Sequence, residues 1–365
     1  MSAASTTVRV SLQDRSYDID IAPGLLARAG QAILARAAAS HAVVISDRNV
    51  ASIGQQIGDS LRREGRRVTH LEVAPGEGSK TIEVATRLWG EMLAAKADRK
   101  SLLIAVGGGV IGDLAGFVAA TFTRGLRFVQ VPTTLLAQVD SSVGGKVAVN
   151  LPMAKNMVGC FWQPKYVLID PNVLASLPER EYLSGLAEVV KYGVILDADF
   201  FEYLEKHVAE IRARDPAALV AIVARSCRLK ADVVENDERE ETGLRAVLNY
   251  GHTFAHAFEA VAGYGELLHG EAVSIGMHCA AHLAVALGRM PPGFVDRQQA
   301  LLAALGLPWR VPADLDEGQL LAAMQHDKKV EHGRLRFVLP AKLGFVELVE
   351  GVESAQVASA LRLGG

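Results

Sequence analysis

Cysteine is scarce: Cys160, Cys227 and Cys279 are the only three, and no two form a C-x-x-C pair. This excludes a disulfide framework and a cysteine-based zinc site on sequence grounds, and makes a reducing cytoplasm the expected setting. An excess of positive charge is also missing. The 38 Lys and Arg nearly balance the 41 Asp and Glu, so no basic field invites nucleic acid or an anionic membrane. The opening MSAASTTVRVSL lacks an apolar signal core. No apolar run reaches the roughly 18 residues that a membrane helix needs. The expected partner is therefore a small molecule. With 365 residues, 50% of them hydrophobic, the chain can build one large or two moderate cores. It shows no internal repeat and no low-complexity linker.

Periodicity divides the chain. Residues 7–12 and 16–21 alternate apolar and polar, which predicts two short strands joined at 13–15. Buried-strand patterns at 42–46, 67–73, 102–106, 128–131 and 166–169 have helical segments between several of them, the signature of a parallel α/β sheet. Prolines at 164, 171 and 178 punctuate the chain around and beyond the last of these. From Pro178 to about Val330 the period is almost wholly helical, and only 335–339 and 344–348 resemble strands. The expectation is an α/β domain over 1–178 and a mainly α-helical domain over 179–365.

Residues 107–113, GGGVIGD, come directly after an apolar run and satisfy G-x-G-x-x-G. Glycines there let the backbone approach a pyrophosphate held at the next helix N-terminus. The usual companion is an acid about 20 residues later. Here that place holds Val-Pro-Thr-Thr (131–134), and the acid, Asp47, ends an earlier strand. A nucleotide site in this chain would have its parts in a different order.

In the helical half, a single helix through 245–256 would put Arg245, Asn249, His252 and His256 within a stripe roughly 60° wide. Leu248, Phe254, Ala255 and Phe258 fill much of the rest, so the stripe should face a cavity of a buried helix. A lone H-x-x-x-H is more often a pair of core histidines, but Arg and Asn on the same stripe favour a site. His278 and His282 repeat the spacing among apolar and small neighbours and read as structural. Glu188 and Lys191, taken alone, read as a solvated i, i+3 pair worth a few tenths of a kcal/mol.

The stretches GGGVIGDLAGFVAATFTRG (107–125), VPTTLLAQVDSSVGGKVAVN (131–150), KNMVGCFWQP (155–164), LAEVVKYG (186–193), LNYGHTFAHAFE (248–259), LHGEAVSIGM (268–277) and HDKKV (326–330) closely resemble the 3-dehydroquinate synthases of the sugar phosphate cyclase superfamily. The resemblance runs in order over nearly the full chain. It implies an N-terminal α/β dinucleotide-binding domain and an α-helical metal- and substrate-binding domain. It also implies that the glycine loop serves a cyclase using NAD transiently rather than a net dehydrogenase. By the same resemblance Zn2+, with Co2+ as an alternative, is held by Glu188, His252 and His269, and His256 transfers protons. NAD lies against Asp47, Glu77, Lys80, Gly107, Gly108, Gly109, Asp113, Thr133, Thr134, Asp140 and Lys155.

The implied substrate is 3-deoxy-D-arabino-heptulosonate 7-phosphate, whose carboxylate and phosphate call for several cations and amide donors. The matching blocks supply Arg124, Lys146, Asn156, Lys191, Lys230, Arg245, Asn249 and Lys328 or its neighbour Lys329, with Lys146, Lys191, Arg245 and Asn249 joining His256 in the catalytic set. The implied sequence is oxidation, phosphate elimination, re-reduction, ring opening and aldol closure. A homodimer is also implied, with Arg124 entering the neighbouring subunit's site. The segment 237–245 is one residue longer than the family's acidic turn, so Glu240 and Glu241 both stay open for its second acidic position. Three alternatives stand beside this reading: cyclases acting on sedoheptulose 7-phosphate or glucose 6-phosphate, metal-dependent alcohol dehydrogenases, and a non-catalytic nucleotide-binding relative.

Overall fold

The apolar run ending in the glycine motif forms a strand, Leu102–Gly107, buried at every position. Burial on both faces is what a central parallel strand requires, and the computed structural model, which describes residues 5–263, 265–326 and 335–365, places it in the middle of a sheet. The chain divides into two compact units, Met1–Leu177 with Leu219–Arg239, and Pro178–Ala218 with Glu240–Gly365.

In the first unit the strands are β1 (Thr6–Val10), β2 (Tyr17–Ile21), β3 (His41–Asp47), β4 (Arg67–Val73), β5 (Leu102–Gly107), β6 (Arg127–Pro132), β7 (Lys146–Leu151), β8 (Ala154–Phe161) and β9 (Tyr166–Ile169). Seven of them form a sheet in the order β1-β2-β9-β6-β5-β3-β4. All neighbours are parallel except β1 and β2. Side chains of β3 alternate between two cores. Val43 and Ile45 join Leu88 of α3 (Ile82–Ala94) and Leu114 of α4 (Gly109–Thr121). Ala42 and Val44 join Ile33 and Ile57, from α1 (Ala29–Arg36) and α2 (Ala51–Arg63), on the opposite face. This is a doubly wound sheet. The order reverses between β3 and β5, the switch point where such sheets bind ligands at the carboxyl ends of the strands. Asp47 ends β3 and Gly107 ends β5, so the acid precedes the glycine loop in sequence but occupies the adjacent strand end.

The second unit contains α5 (Glu179–Leu196), α6 (Ala198–Lys206), α7 (Val208–Arg212), α9 (His252–Ala262), α10 (His269–Ala286), α11 (Gly293–Leu305), α12 (Glu317–His326) and α13 (Ser354–Leu363), with a hairpin of β10 (Arg336–Lys342) and β11 (Phe345–Glu350). The intervening α8 (Pro216–Asn236) returns mainly to the first unit. α10 packs against α5, α9, α11 and α13, which explains why it is apolar nearly all round.

Three features differ from the sequence reading. The chain first crosses between units at Leu177, but residues 219–239 cluster with the α/β unit instead of the helical half. Lys230 bonds to Asp140, Cys227 to the Gln138 carbonyl and Glu238 to Arg15, which ties that segment back. Residues 146–161, not read as strands, form the β7–β8 hairpin. Finally, 245–256 is not one helix. A 3-10 turn, Leu244–Asn249, precedes Gly251, whose φ of 80° is left-handed, and α9 begins only at His252. A Cβ on Gly251 would lie 2.7 Å from the Met277 nitrogen, so the helix is interrupted where two backbones meet.

The partner glycine on α10 is as constrained: a Cβ on Gly276 would lie 2.2 Å from the Gly251 carbonyl oxygen. Gly276→Ala should therefore destabilise the protein by about 1–3 kcal/mol, the scale of overpacking, read as a lower urea midpoint. An unchanged midpoint would mean that the two segments separate without cost.

Candidate active site

Each unit gathers its own group of polar side chains. In the first, β5 gives way to α4 through Gly108, and no side chain caps the helix N-terminus, so the first-turn N–H groups have no capping partner. A Cβ on Gly108 would lie 3.1 Å from Thr134 Cγ2, and one on Gly109 would lie 3.2 Å from Ser141 Oγ. The Thr133 N–H donates to the Gly107 carbonyl at 3.0 Å, and Thr134 Oγ1 accepts from the Ala137 N–H at 3.2 Å. Thus Gly107, Gly108, Gly109, Thr133 and Thr134 line one turn. Asp47, at the neighbouring strand end, accepts from the Asn49 N–H at 2.8 Å, and burial raises its pKa.

Lys80 is buried and pairs with Asp113 on α4 at 2.5 Å, and its ammonium also donates to Asn156 Oδ1. Burial pushes the Asp113 carboxyl upward in pKa, and the Lys80 charge opposes that shift. Glu77 accepts from Asn150 Nδ2 at 2.7 Å. Asp140 lies in a π-helical turn, Ala137–Ser141, and accepts from Lys230 Nζ at 2.7 Å. Lys146, Lys155 and Arg124 are exposed. Arg124 and Asn156 have φ of 67° and 58°, a region unusual for residues with a Cβ and enriched at functional sites.

In the second unit, Glu188 and Lys191 are 1% and 2% exposed and form an ion pair. The reading of these two as a solvated surface pair is corrected, because α5 is buried continuously through this stretch. Glu188 Oε1 lies 3.6 Å from His252 Nε2 and 3.6 Å from His269 Nε2. The three donor atoms all lie within 4.8 Å of one another, and among the described residues this is the one group of its kind able to hold a metal.

Both imidazoles are oriented from behind. His252 Nδ1 donates to the Tyr250 carbonyl at 3.1 Å, and His269 Nδ1 lies 3.4 Å from Glu259 Oε1, which directs each Nε2 toward Glu188. Burial disfavours a charge on His269, but Glu188 and Glu259 prevail and raise its pKa to about 10, so the pocket favours a cation. One carboxylate and two such imidazoles fit an open, three-ligand divalent metal site.

His256 is half-buried one turn along α9, its ring 5.8 Å from that of His252, and is not in the donor set. Arg245 is buried with Glu240 at 3.7 Å, which makes Glu240 the acid facing it. Asn249 is half-buried on the same 3-10 turn. Lys328 and Lys329 lie outside the described residues. Asn150, Tyr250 and Glu259, which hold other site residues, were not singled out from the sequence. Asn150 meets Glu77 and Lys80 from far along the chain, Glu259 faces a histidine on the next helix, and Tyr250 acts through its main chain, which leaves no trace in side-chain chemistry.

Residues 70–184 match the family described as 3-dehydroquinate synthase N-terminal, and residues 185–330 match 3-dehydroquinate synthase C-terminal. The 3-dehydroquinate synthase of Rhodopirellula baltica is 50% identical over 364 residues, covering 97% of this chain and 96% of that protein. Among solved structures, 2-deoxy-scyllo-inosose synthase complexed with carbaglucose-6-phosphate, NAD+ and Co2+ superposes with a TM-score of 0.90 at 29% identity, over 98% of this chain and 100% of that one. ValA, the 2-epi-5-epi-valiolone synthase of Streptomyces hygroscopicus with NAD+ and Zn2+ bound, gives a TM-score of 0.87 at 29% identity, over 97% and 98%.

In the second histidine pair the group facing His278 is an imidazole, and the nearby acid Asp296 acts on His282. His278 and His282 approach to 3.3 Å between Nε2 atoms, and burial together with the neighbouring imidazole lowers His278 from 6.5 to about 4. A depressed folded pKa means that the folded state binds fewer protons than the unfolded state between those values. Its stabilising contribution is present above pH 6.5 and is lost as pH falls toward 4. Urea midpoints at pH 7 and pH 5 should therefore differ more for the natural protein than for His278→Phe, and parallel losses would refute this.

Proposed function

The chain belongs to the 3-dehydroquinate synthase family, and on that premise we propose that it converts 3-deoxy-D-arabino-heptulosonate 7-phosphate to 3-dehydroquinate and inorganic phosphate, as a carbon–oxygen lyase of the shikimate pathway. The observation that carries this reading is the buried Glu188–His252–His269 donor set with both imidazoles oriented, in a chain 50% identical to a 3-dehydroquinate synthase. When bound, a divalent metal, Zn2+ or Co2+, supplies a Lewis acid, and NAD supplies a hydride acceptor restored within each turnover.

The chain's own residues do the binding and positioning. The α/β unit takes NAD along the turn of Gly107 to Gly109, Thr133 and Thr134, with Asp47, Glu77, Lys80, Asp113, Asp140 and Lys155 around it. The helical unit takes the metal and, with Lys191, Arg245, Asn249 and Lys328, the substrate. Lys191 neutralises Glu188 on one oxygen and leaves Oε1 toward the imidazoles. Arg124, Lys146, Asn156 and Lys230 supply further charge and hydrogen bonds to the two anionic groups. His256, beside the donor set without belonging to it, holds and moves the proton. The enzyme works in the cytoplasm as a homodimer, and the exposed, left-handed Arg124 completes the neighbouring subunit's site. Among the described residues no helix is long and apolar enough to cross a membrane.

With Zn2+, NAD and 3-deoxy-D-arabino-heptulosonate 7-phosphate supplied, one phosphate should appear per substrate consumed, with 3-dehydroquinate formed and no net reduced nicotinamide absorbance. Accumulating NADH without phosphate would indicate a dehydrogenase. An inert substrate alongside cyclised sedoheptulose 7-phosphate would move the protein to another cyclase branch.

Metal holding and proton transfer should separate by mutation. Glu188→Ala, His252→Ala and His269→Ala should each lose the metal with the activity. His256→Ala should keep metal and NAD while turnover falls by a factor on the order of 100 to 10,000. Metal analysis of the purified variants checks this, and a His256→Ala protein that loses its metal would reverse the assignment.

A further inference from the structure

The β7–β8 ladder breaks register between Val149 and Leu151, which pair with Val158 and Ala154, so Asn150 stands against the three residues 155–157 with no ladder partner of its own. A bulge of this kind re-aims a side chain, and Asn150 bridges to Thr81 instead of continuing the hairpin pairing. Its N–H donates to the Lys80 carbonyl at 2.7 Å. Its Oδ1 accepts from the Asn156 N–H at 2.9 Å, and Asn156 Oδ1 in turn accepts from Lys80 Nζ. The three residues therefore close a hydrogen-bonded ring. From this ring Asn150 Nδ2 reaches outward to Glu77 at 2.7 Å, and Lys80 reaches Asp113 at 2.5 Å.

We propose that Asn150 is a positioning residue that fixes Lys80, Glu77 and the left-handed Asn156 in the geometry required for cofactor binding. The proposal rests on the reading that Lys80 and Glu77 hold NAD. The position needs a short side chain presenting one donor and one acceptor. Aspartate would keep the acceptor for Asn156 but set a carboxylate against Glu77, and alanine would remove the bonds to Glu77 and Asn156 while keeping the backbone N–H on the Lys80 carbonyl. Asn156, at φ 58°, is the partner most dependent on this support, since its backbone conformation is costly unless its surroundings enforce it.

The test titrates NAD alone into the full-length protein by calorimetry, for the natural sequence, Asn150→Ala, Lys80→Ala and the double variant. Asn150→Ala should weaken NAD binding on the order of tenfold, the scale of one or two lost hydrogen bonds. In the Lys80→Ala background the same change should weaken it by a smaller factor, because the part of its effect that passes through Lys80 is already lost and only the part through Glu77 remains. Equal losses in both backgrounds would overturn the proposal, since a general loosening of the unit would produce that result. NAD affinity unchanged by Asn150→Ala but weakened by Lys80→Ala would overturn the positioning role and leave the cofactor reading intact. Affinity unchanged by Lys80→Ala would overturn both.

A swap gives a second reading that folding defects would not mimic. Asn150→Asp should weaken NAD binding, and adding Glu77→Gln should recover part of it, because the new amide can donate to the new carboxylate. Purely additive losses would overturn the proposal.

Discussion

Backbone-to-backbone contact along α10 is the constraint on which the geometry of the candidate metal site depends. A Cβ on Gly270 would lie 1.9 Å from the Ser184 carbonyl oxygen, and one on Gly276 would lie 2.2 Å from that of Gly251. The Gly270 N–H also donates to Ser184 Oγ at 3.0 Å. Each contact stands next to a residue of the candidate donor set in sequence: Gly270 comes after His269, Gly251 precedes His252, and Ser184 lies one turn before Glu188. Three donors from three separate elements converge because glycine allows these elements to touch without intervening side chains. Backbone atoms cannot change rotamer to relieve a clash, so the positions of the donors are fixed more firmly than side-chain packing alone would fix them.

That convergence places charge where water is scarce. Glu188 and Lys191 are both almost fully buried, and a buried ion pair is tolerable only when each partner is satisfied in place. The two carboxylate oxygens of Glu188 divide the work, one toward Lys191 and the other toward the imidazoles. The first unit solves a similar problem with Lys80, buried between Asp113 and Asn156. In both units a buried lysine holds an acidic or amide group in place, so removing the lysine would leave a desolvated partner as well as a missing cation.

The parallel sheet was legible because buried strands read as apolar runs, and the placement of Asp47 before the glycine loop makes sense once β3 and β5 are known to be neighbours. The β7–β8 hairpin was not legible. Most of β8 is exposed, so its residues carry no core-facing alternation, and its role shows only in the contacts of Asn150 and Asn156. The return of 219–239 to the first unit was equally hidden, since a buried helix has the same period whichever unit it packs against. The candidate donor set was named through linked family motifs, while local reasoning placed Glu188 and Lys191 in solvent. One signal was available: from Leu186 to Ile195 the helix is apolar on most sides around that pair, which indicates burial.

The two H-x-x-x-H pairs show why spacing does not determine chemistry. Both pairs are helical and both bring their rings close, and burial lowers the proton affinity of His278 and also of His269, which belongs to neither pair but joins His252 beside Glu188. What differs is the company of acids. Glu188 and Glu259 face His269 and reverse the effect of burial, driving its pKa to about 10, while His278 meets another imidazole and Trp309 and falls to about 4. Carboxylates that stabilise a proton against desolvation stabilise a metal cation for the same electrostatic reason, and at His278 no carboxylate among the described residues offsets burial. The distinction resides in α5 and at the end of α9, far from the second histidine pair in sequence, and neither motif contains it.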